Sequence, residues 1–178
     1  FSGELVVDLG EVSVTANTVF VAINTGTADR IVGTETIEPG FKIIVDGGAL
    51  TIGGQEIGGD FVLEQTPTPG PDGDIATTED NEQVVKLAIT SLHMKLGDPG
   101  SPFVNISGAE AFVLINAQGM AAKFTVSAPP GTFNIPGVSI VASSLTIEIN
   151  TSPLAVNEDF VTGLDDVTGD EIIKHLEI

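Results

Sequence analysis

With 178 residues, 42% of them apolar, the chain is long enough to bury a substantial core, and its abundance of Val, Ile, Leu and Thr beside 21 Gly and 10 Pro is the composition of a folded all-β protein. Six Lys plus Arg against 25 Asp plus Glu give a net charge of -19, which repels nucleic acid and anionic membranes and favours a saline or extracellular setting. The absence of Cys excludes disulfides, thiolate metal sites and cysteine nucleophiles, and no run of about 18 apolar residues exists to span a membrane.

Because the first residue is Phe and no signal-like apolar segment precedes it, a processed product or an excerpt of a longer chain is expected. Residues 4–8 and 12–24 read as strands divided by a Leu9-Gly10 corner. Val12, Val14 and Ala16 alternate with Ser13, Thr15 and Asn17, and the phase then shifts, which predicts a bulge or a strand buried on both faces. Residues 26–40 form a less regular connection carrying Arg30, the one arginine. Phe41, Ile43 and Val45 lead into Asp46-Gly47-Gly48, which reads as a hairpin turn, and the pairs Gly53-Gly54 and Gly58-Gly59 predict further reversals or bulges. These glycines do not match a phosphate loop, since no Lys-Ser/Thr and no helix follows.

Residues 66–82 are an acidic, proline-rich loop. The longest strand candidate is 83–96, where apolar residues change parity between Ile89 and Leu92; a bulge or crossing is expected at Thr90-Ser91. Strands follow at 103–106, 112–115 and 120–128, with Asn116-Ala117-Gln118-Gly119 as a hairpin loop. Near the end, residues 170–175 are compatible with a short helix or with a strand entering at Ile172. The sum predicts an all-β chain with little or no helix: an antiparallel β-sandwich-like or elongated β architecture of many short strands.

One stretch occurs twice. VSVTANTVFVAINT (12–25) and VSIVASSLTIEINT (138–151), offset by 126, share six of fourteen residues without a gap, and their apolar pattern is retained. The repeat predicts that residues 1–178 form one β module, with 1–36 the tail of a preceding repeat or a completing strand. Asn24 and Asn150, at the repeated strand ends, are expected to be structural, their side chains bonding the turn that follows.

GALTIGGQEIGGDFVLEQ (48–65), SLHMKLGD (91–98), ISGAEAFVLINAQGMAAKFTVSA (106–128) and SLTIEINTSPLAVNEDF (144–160) resemble, in that order, segments of repeats in very long bacterial surface or secreted proteins. That resemblance implies an adhesin-like or matrix-forming role at the cell surface. AVNEDFVTGLDDVTGDE (155–171) is also similar to the junctions of bacterial cadherin-like tandem modules, which implies calcium between modules; the Asp-x-Asp-Gly-Asp pattern of such junctions is incomplete here.

Two acidic clusters are the candidate metal ligands. Glu158, Asp159, Asp165, Asp166 and Asp170 lie near the C-terminal end, and Asp72, Asp74 and Asp80 lie in the proline-rich loop; Ca2+ is the ion such flexible carboxylates would hold, and a solvated acidic surface is the alternative. Neither cluster has EF-hand spacing. His93 and His175, the two histidines, stand in polar surroundings with no nucleophile elbow, and the lack of Trp and Tyr argues against a sugar-stacking cleft, so no enzyme activity is expected. Asn105 and Asn150 fit the N-glycosylation triplet. The expected function is a structural module of a repetitive extracellular protein, an adhesin stalk, matrix or filament subunit whose partners are neighbouring copies of itself. The alternative is a calcium-assisted domain binding carbohydrate or another surface ligand.

Overall fold

A computed structural model describes residues 2–69, 73–76, 81–98, 100–129, 131–138, 142–165 and 168–178. Twelve strands follow one another among them: β1 (Ser2–Asp8), β2 (Val12–Asn24), β3 (Arg30–Val32), β4 (Glu35–Ile37), β5 (Gly40–Ile52), β6 (Gln55–Thr68), β7 (Glu82–Asp98), β8 (Ser101–Asn116), β9 (Gly119–Ser127), β10 (Ser144–Asn150), β11 (Asn157–Leu164) and β12 (Glu171–Glu177). Eight form one sheet in the order β1-β2-β5-β6-β7-β8-β9-β10, each antiparallel to its neighbours. The chain therefore meanders across the sheet, leaving it for the small β3–β4 hairpin between β2 and β5 and again after β10 for the β11–β12 hairpin. The all-β antiparallel fold expected from composition is the fold observed, and the C-terminal segment open to helix or strand is strand β12. No helix among the described residues is long and apolar enough to cross a membrane.

The strands are longer than the glycine spacing suggests, β7 reaching 17 residues. Bulges explain the difference, since they let a strand continue through residues that interrupt its alternation. Asp46-Gly47-Gly48 is one: instead of turning the chain it lies inside β5, where the β5–β6 register shifts between Val45 and Gly48 and Gly47 takes φ 57°. The parity change in β7 is another. Ser91 stands at φ 53°, and the β7–β8 register shifts between Ile89 and Leu92.

Alternation sorts side chains to the two faces. One face carries Ile44 (β5), Val62 (β6), Ala88 (β7), Phe112 and Leu114 (β8) and Ala121 (β9), all buried. The β11–β12 hairpin lies across it and presses Val156, Phe160, Val161 and Leu176 into the same cluster, forming a second layer. Phe160 is fully buried and meets Phe112 edge to face, ring centres 5.4 Å apart. Burying such a ring contributes about 1.5–3 kcal/mol. On the opposite face, past the bulges, Ile106, Ala109 and Val126 form a smaller cluster with Leu92, Met94, Val104 and Phe124. The connection after β9 folds back beside it, with Asn105 N–H donating to Thr132 O and Asn134 N–H to Phe103 O, both at 2.8 Å.

Candidate functional site

The two copies of the repeated strand lie near opposite ends of the sheet. The first is β2, flanked by β1 and β5; the second contributes β10, the terminal strand, paired with β9 alone. The first half of the second copy does not extend the strand: Val138 and Ala142 lie outside it, and 139–141 fall outside the described residues.

At the ends of these strands the two asparagines make the same set of bonds. Asn24 Oδ1 accepts the Gly26 N–H at 2.9 Å, while its Nδ2 donates to Ala28 O and Ile37 O, each at 2.9 Å. Asn150 Oδ1 accepts the Ser152 N–H at 2.9 Å, and its Nδ2 donates to Leu154 O at 3.0 Å and Ile178 O at 3.3 Å. In both, the oxygen closes an Asx turn onto residue i+2 and the amide holds the carbonyl of residue i+4. The third bond reaches the returning end of a hairpin. Ile37 pairs with Arg30, and Ile178 exchanges both backbone hydrogen bonds with Val156 at 2.8 and 2.9 Å. Arg30 and Val156 are themselves 126 apart. The duplication thus extends beyond the fourteen-residue stretch to a unit of strand, asparagine clasp, turn and hairpin. β11–β12 is the enlarged counterpart of β3–β4.

Burial separates the two clasps. Asn24 is buried and lies opposite Gly40 of β5, whereas Asn150 is exposed. Gly40 is required there, with φ 114° and the position of a Cβ only 1.9 Å from Gln65 O.

Three of the six basic residues fasten the enlarged hairpin to the sheet. Lys42 of β5 bonds Glu64 of β6 at 2.8 Å and Glu171 of β12. Lys86 of β7 donates to Glu158 Oε2 at 2.9 Å and Asp159 O at 2.8 Å, and its ammonium lies 5.6 Å from the centre of the Phe160 ring. Lys174 of β12 pairs with Glu110 of β8. Burial works against the charge on Lys42, but its hydrogen bonds to Glu171 and Glu64 and their attraction outweigh that cost and raise its pKa above the ordinary lysine value. The cleft around it, about 290 Å³ and lined in part by Phe20, Ile37 and Leu164, already holds two carboxylates on its one cation. It is built as a clasp.

The acidic candidates are dispersed over different tasks. Glu158 serves Lys86; Asp159 Oδ1 lies 2.7 Å from His175 Nδ1; Asp165 Oδ1 accepts the Thr168 N–H at 2.9 Å; and Asp170 O accepts the Asp165 N–H at 2.8 Å. Asp74 Oδ1 accepts the Ala76 N–H at 2.9 Å. Asp72, Asp80 and Asp166 lie outside the described residues. Among the described residues no three His, Asp or Glu side chains are grouped to hold a metal ion. His93 stands 3.5 Å from Glu56 and 3.3 Å from its neighbour's carbonyl, Ser91 O.

The lysine clasps were not singled out in the sequence, although a signal existed: Lys42 and Lys86 share parity with the core residues Ile44 and Ala88, an unusual place for a cation. No protein-family model, curated protein or solved structure matches the chain.

Proposed function

We propose that the chain is a structural module of a repetitive extracellular protein, an adhesin stalk, matrix or filament subunit, working by tandem stacking or self-association. The observation that carries this reading is the duplicated unit of strand, asparagine clasp and hairpin near the two ends of one meandering sheet, so that the far end of the module regenerates its beginning. Support also comes from the engagement of the conspicuous polar groups. Lys42, Lys86 and Lys174 tie layers together, and Asn24 and Asn150 close turns.

The strong negative charge fits an exported setting, where salt screens self-repulsion over a Debye length of about 8 Å. Sedimentation of the chain across a wide concentration range tests the reading. Concentration-dependent association, strengthened by salt, is the expected result; a strict monomer at every concentration, together with a parent reading frame holding a single copy of the unit, would remove it.

A further inference from the structure

β10 is a sheet edge with three apolar side chains and no described strand on its outer side. All seven of its residues are exposed, Leu145, Ile147 and Ile149 by 44%, 48% and 44%. Thr151 donates its N–H to Met120 O of β9 at 2.8 Å, so by strand alternation Ile149, Ile147 and Leu145 also turn their backbone groups to β9. Thr146, Glu148 and Asn150 turn theirs to the open edge. Native sheets seldom leave such an edge unprotected, because it is a template for another strand.

The molecule contains its own record of what fits this edge. Leu145, Ile147 and Ile149 are the counterparts of Val19, Val21 and Ile23, which β5 flanks through the pairs Val19↔Val45, Val21↔Ile43 and Ile23↔Phe41. With β5 in place, Val19 and Val21 are half-buried while Ile23, at the strand end, stays 66% exposed; without it, Leu145 and Ile147 are exposed.

We infer that the outer edge of β10 receives, antiparallel, a β5-type strand of a further copy of this unit whose own β2-side edge is unpaired, in the register that β5 adopts on β2. This rests on the module reading above and specifies its joint. Ser144 stands opposite the incoming Asp46, Leu145 opposite Val45, Thr146 opposite Ile44, Ile147 opposite Ile43, Glu148 opposite Lys42, Ile149 opposite Phe41 and Asn150 opposite Gly40. Charge complementarity supports the register. Where β2 has Ala22 facing Lys42, β10 has Glu148, which bonds Lys123 of β9 at 2.7 Å, so the incoming lysine would share a carboxylate that already holds one cation. Closure also buries Asn150 as Asn24 is buried, and the glycine arriving opposite it is the residue that the first clasp already requires.

A register-specific disulfide tests the joint. The β5 strand of a folded copy is already flanked by β2 and β6, so the probe is a synthetic peptide of residues 40–46. The native chain has no Cys, so only introduced thiols react. Ile147 and the incoming Ile43 would face each other at a non-hydrogen-bonded position, about 4.5 Å between Cα atoms, within disulfide range. The Ile147→Cys chain should therefore cross-link to the peptide carrying Ile43→Cys with a yield about tenfold above that of the peptide carrying Ile44→Cys, whose side chain points to the other face. Thr146→Pro removes an outward N–H while leaving the β9 side intact, and placed in the Ile147→Cys chain it should abolish the preference at an unchanged melting temperature. Equal yields for the two peptides, or a preference that survives the proline in a folded chain, would overturn the joint. A chain that self-associates yet cross-links without register preference keeps the module reading and loses this edge. A register-specific cross-link in a strictly monomeric chain keeps the edge and removes self-association.

Discussion

The Lys86 ammonium sits 5.6 Å from the centre of the fully buried Phe160 ring while bonding Glu158 and the Asp159 carbonyl, so one side chain of the sheet holds the β11–β12 hairpin by charge and by ring. Phe160 has no access to solvent, and Phe160→Ala should cost about 3–5 kcal/mol in urea unfolding. Lys86→Met keeps the aliphatic stem and loses the cation; with its carboxylate partner partly exposed, a loss of about 1 kcal/mol is expected. A larger loss for the lysine than for the phenylalanine would show that apolar burial is not what seats the hairpin.

The paired asparagines predict unequal costs for the same substitution. Asn24→Leu removes three hydrogen bonds of a buried side chain and should destabilise by about 2–3 kcal/mol. Asn150→Leu removes equivalent bonds where water can replace them, so about 1 kcal/mol is expected. Thermal melting monitored by circular dichroism reads both. An unchanged curve for Asn150→Leu would deny its clasp any structural weight.

Lys42 gives a pH dependence with a definite sign. Its folded pKa is raised above 10.5, so its contribution is fully present below that value and is lost as pH rises through the higher folded value. Lys42→Met should therefore flatten the alkaline limb of the stability profile, measured as urea midpoint between neutral pH and the lysine range. An alkaline limb of the same steepness in the variant would place that titration elsewhere.

Glycine substitutions separate backbone need from incidental glycine. Gly40→Ala puts a methyl group 1.9 Å from Gln65 O at φ 114° and should cost at least about 2 kcal/mol. At Gly163 nothing lies within 4 Å, and Gly163→Ala should change stability by no more than about 0.5 kcal/mol. Equal urea midpoints for the two variants would contradict the close approach at Gly40.

Much of the fold was legible because alternation and turn residues are local signals. The Ser91 bulge could be read from the parity change between Ile89 and Leu92, and the asparagines from their identity at two strand ends. Asp46-Gly47-Gly48 misled because positive φ serves a bulge as well as a turn, and only the pairing of Val45 with Phe61 and of Gly48 with Gly59 distinguishes them. The hairpin equivalence was hidden by length. From Arg30 the chain returns at Ile37, while from Val156 it returns at Ile178, so the constant offset breaks inside the hairpin and linear alignment stops there. The lysine clasps depend on residues such as Lys42 and Glu171, 129 apart, which only the layered packing brings together.

The meander has a mechanical consequence. Apart from β2 and β5, neighbouring strands of the sheet follow one another along the chain, so tension applied between β1 and β10 runs across the strands and peels their hydrogen bonds in succession instead of shearing a whole row at once. The β11–β12 hairpin interrupts that peeling. Tied to β5, β7 and β8 through Lys42, Lys86 and Lys174, it spans the middle of the sheet as a cross-brace. Strands β5, β7 and β8 are thereby held by ion pairs between the layers as well as by their ladder hydrogen bonds.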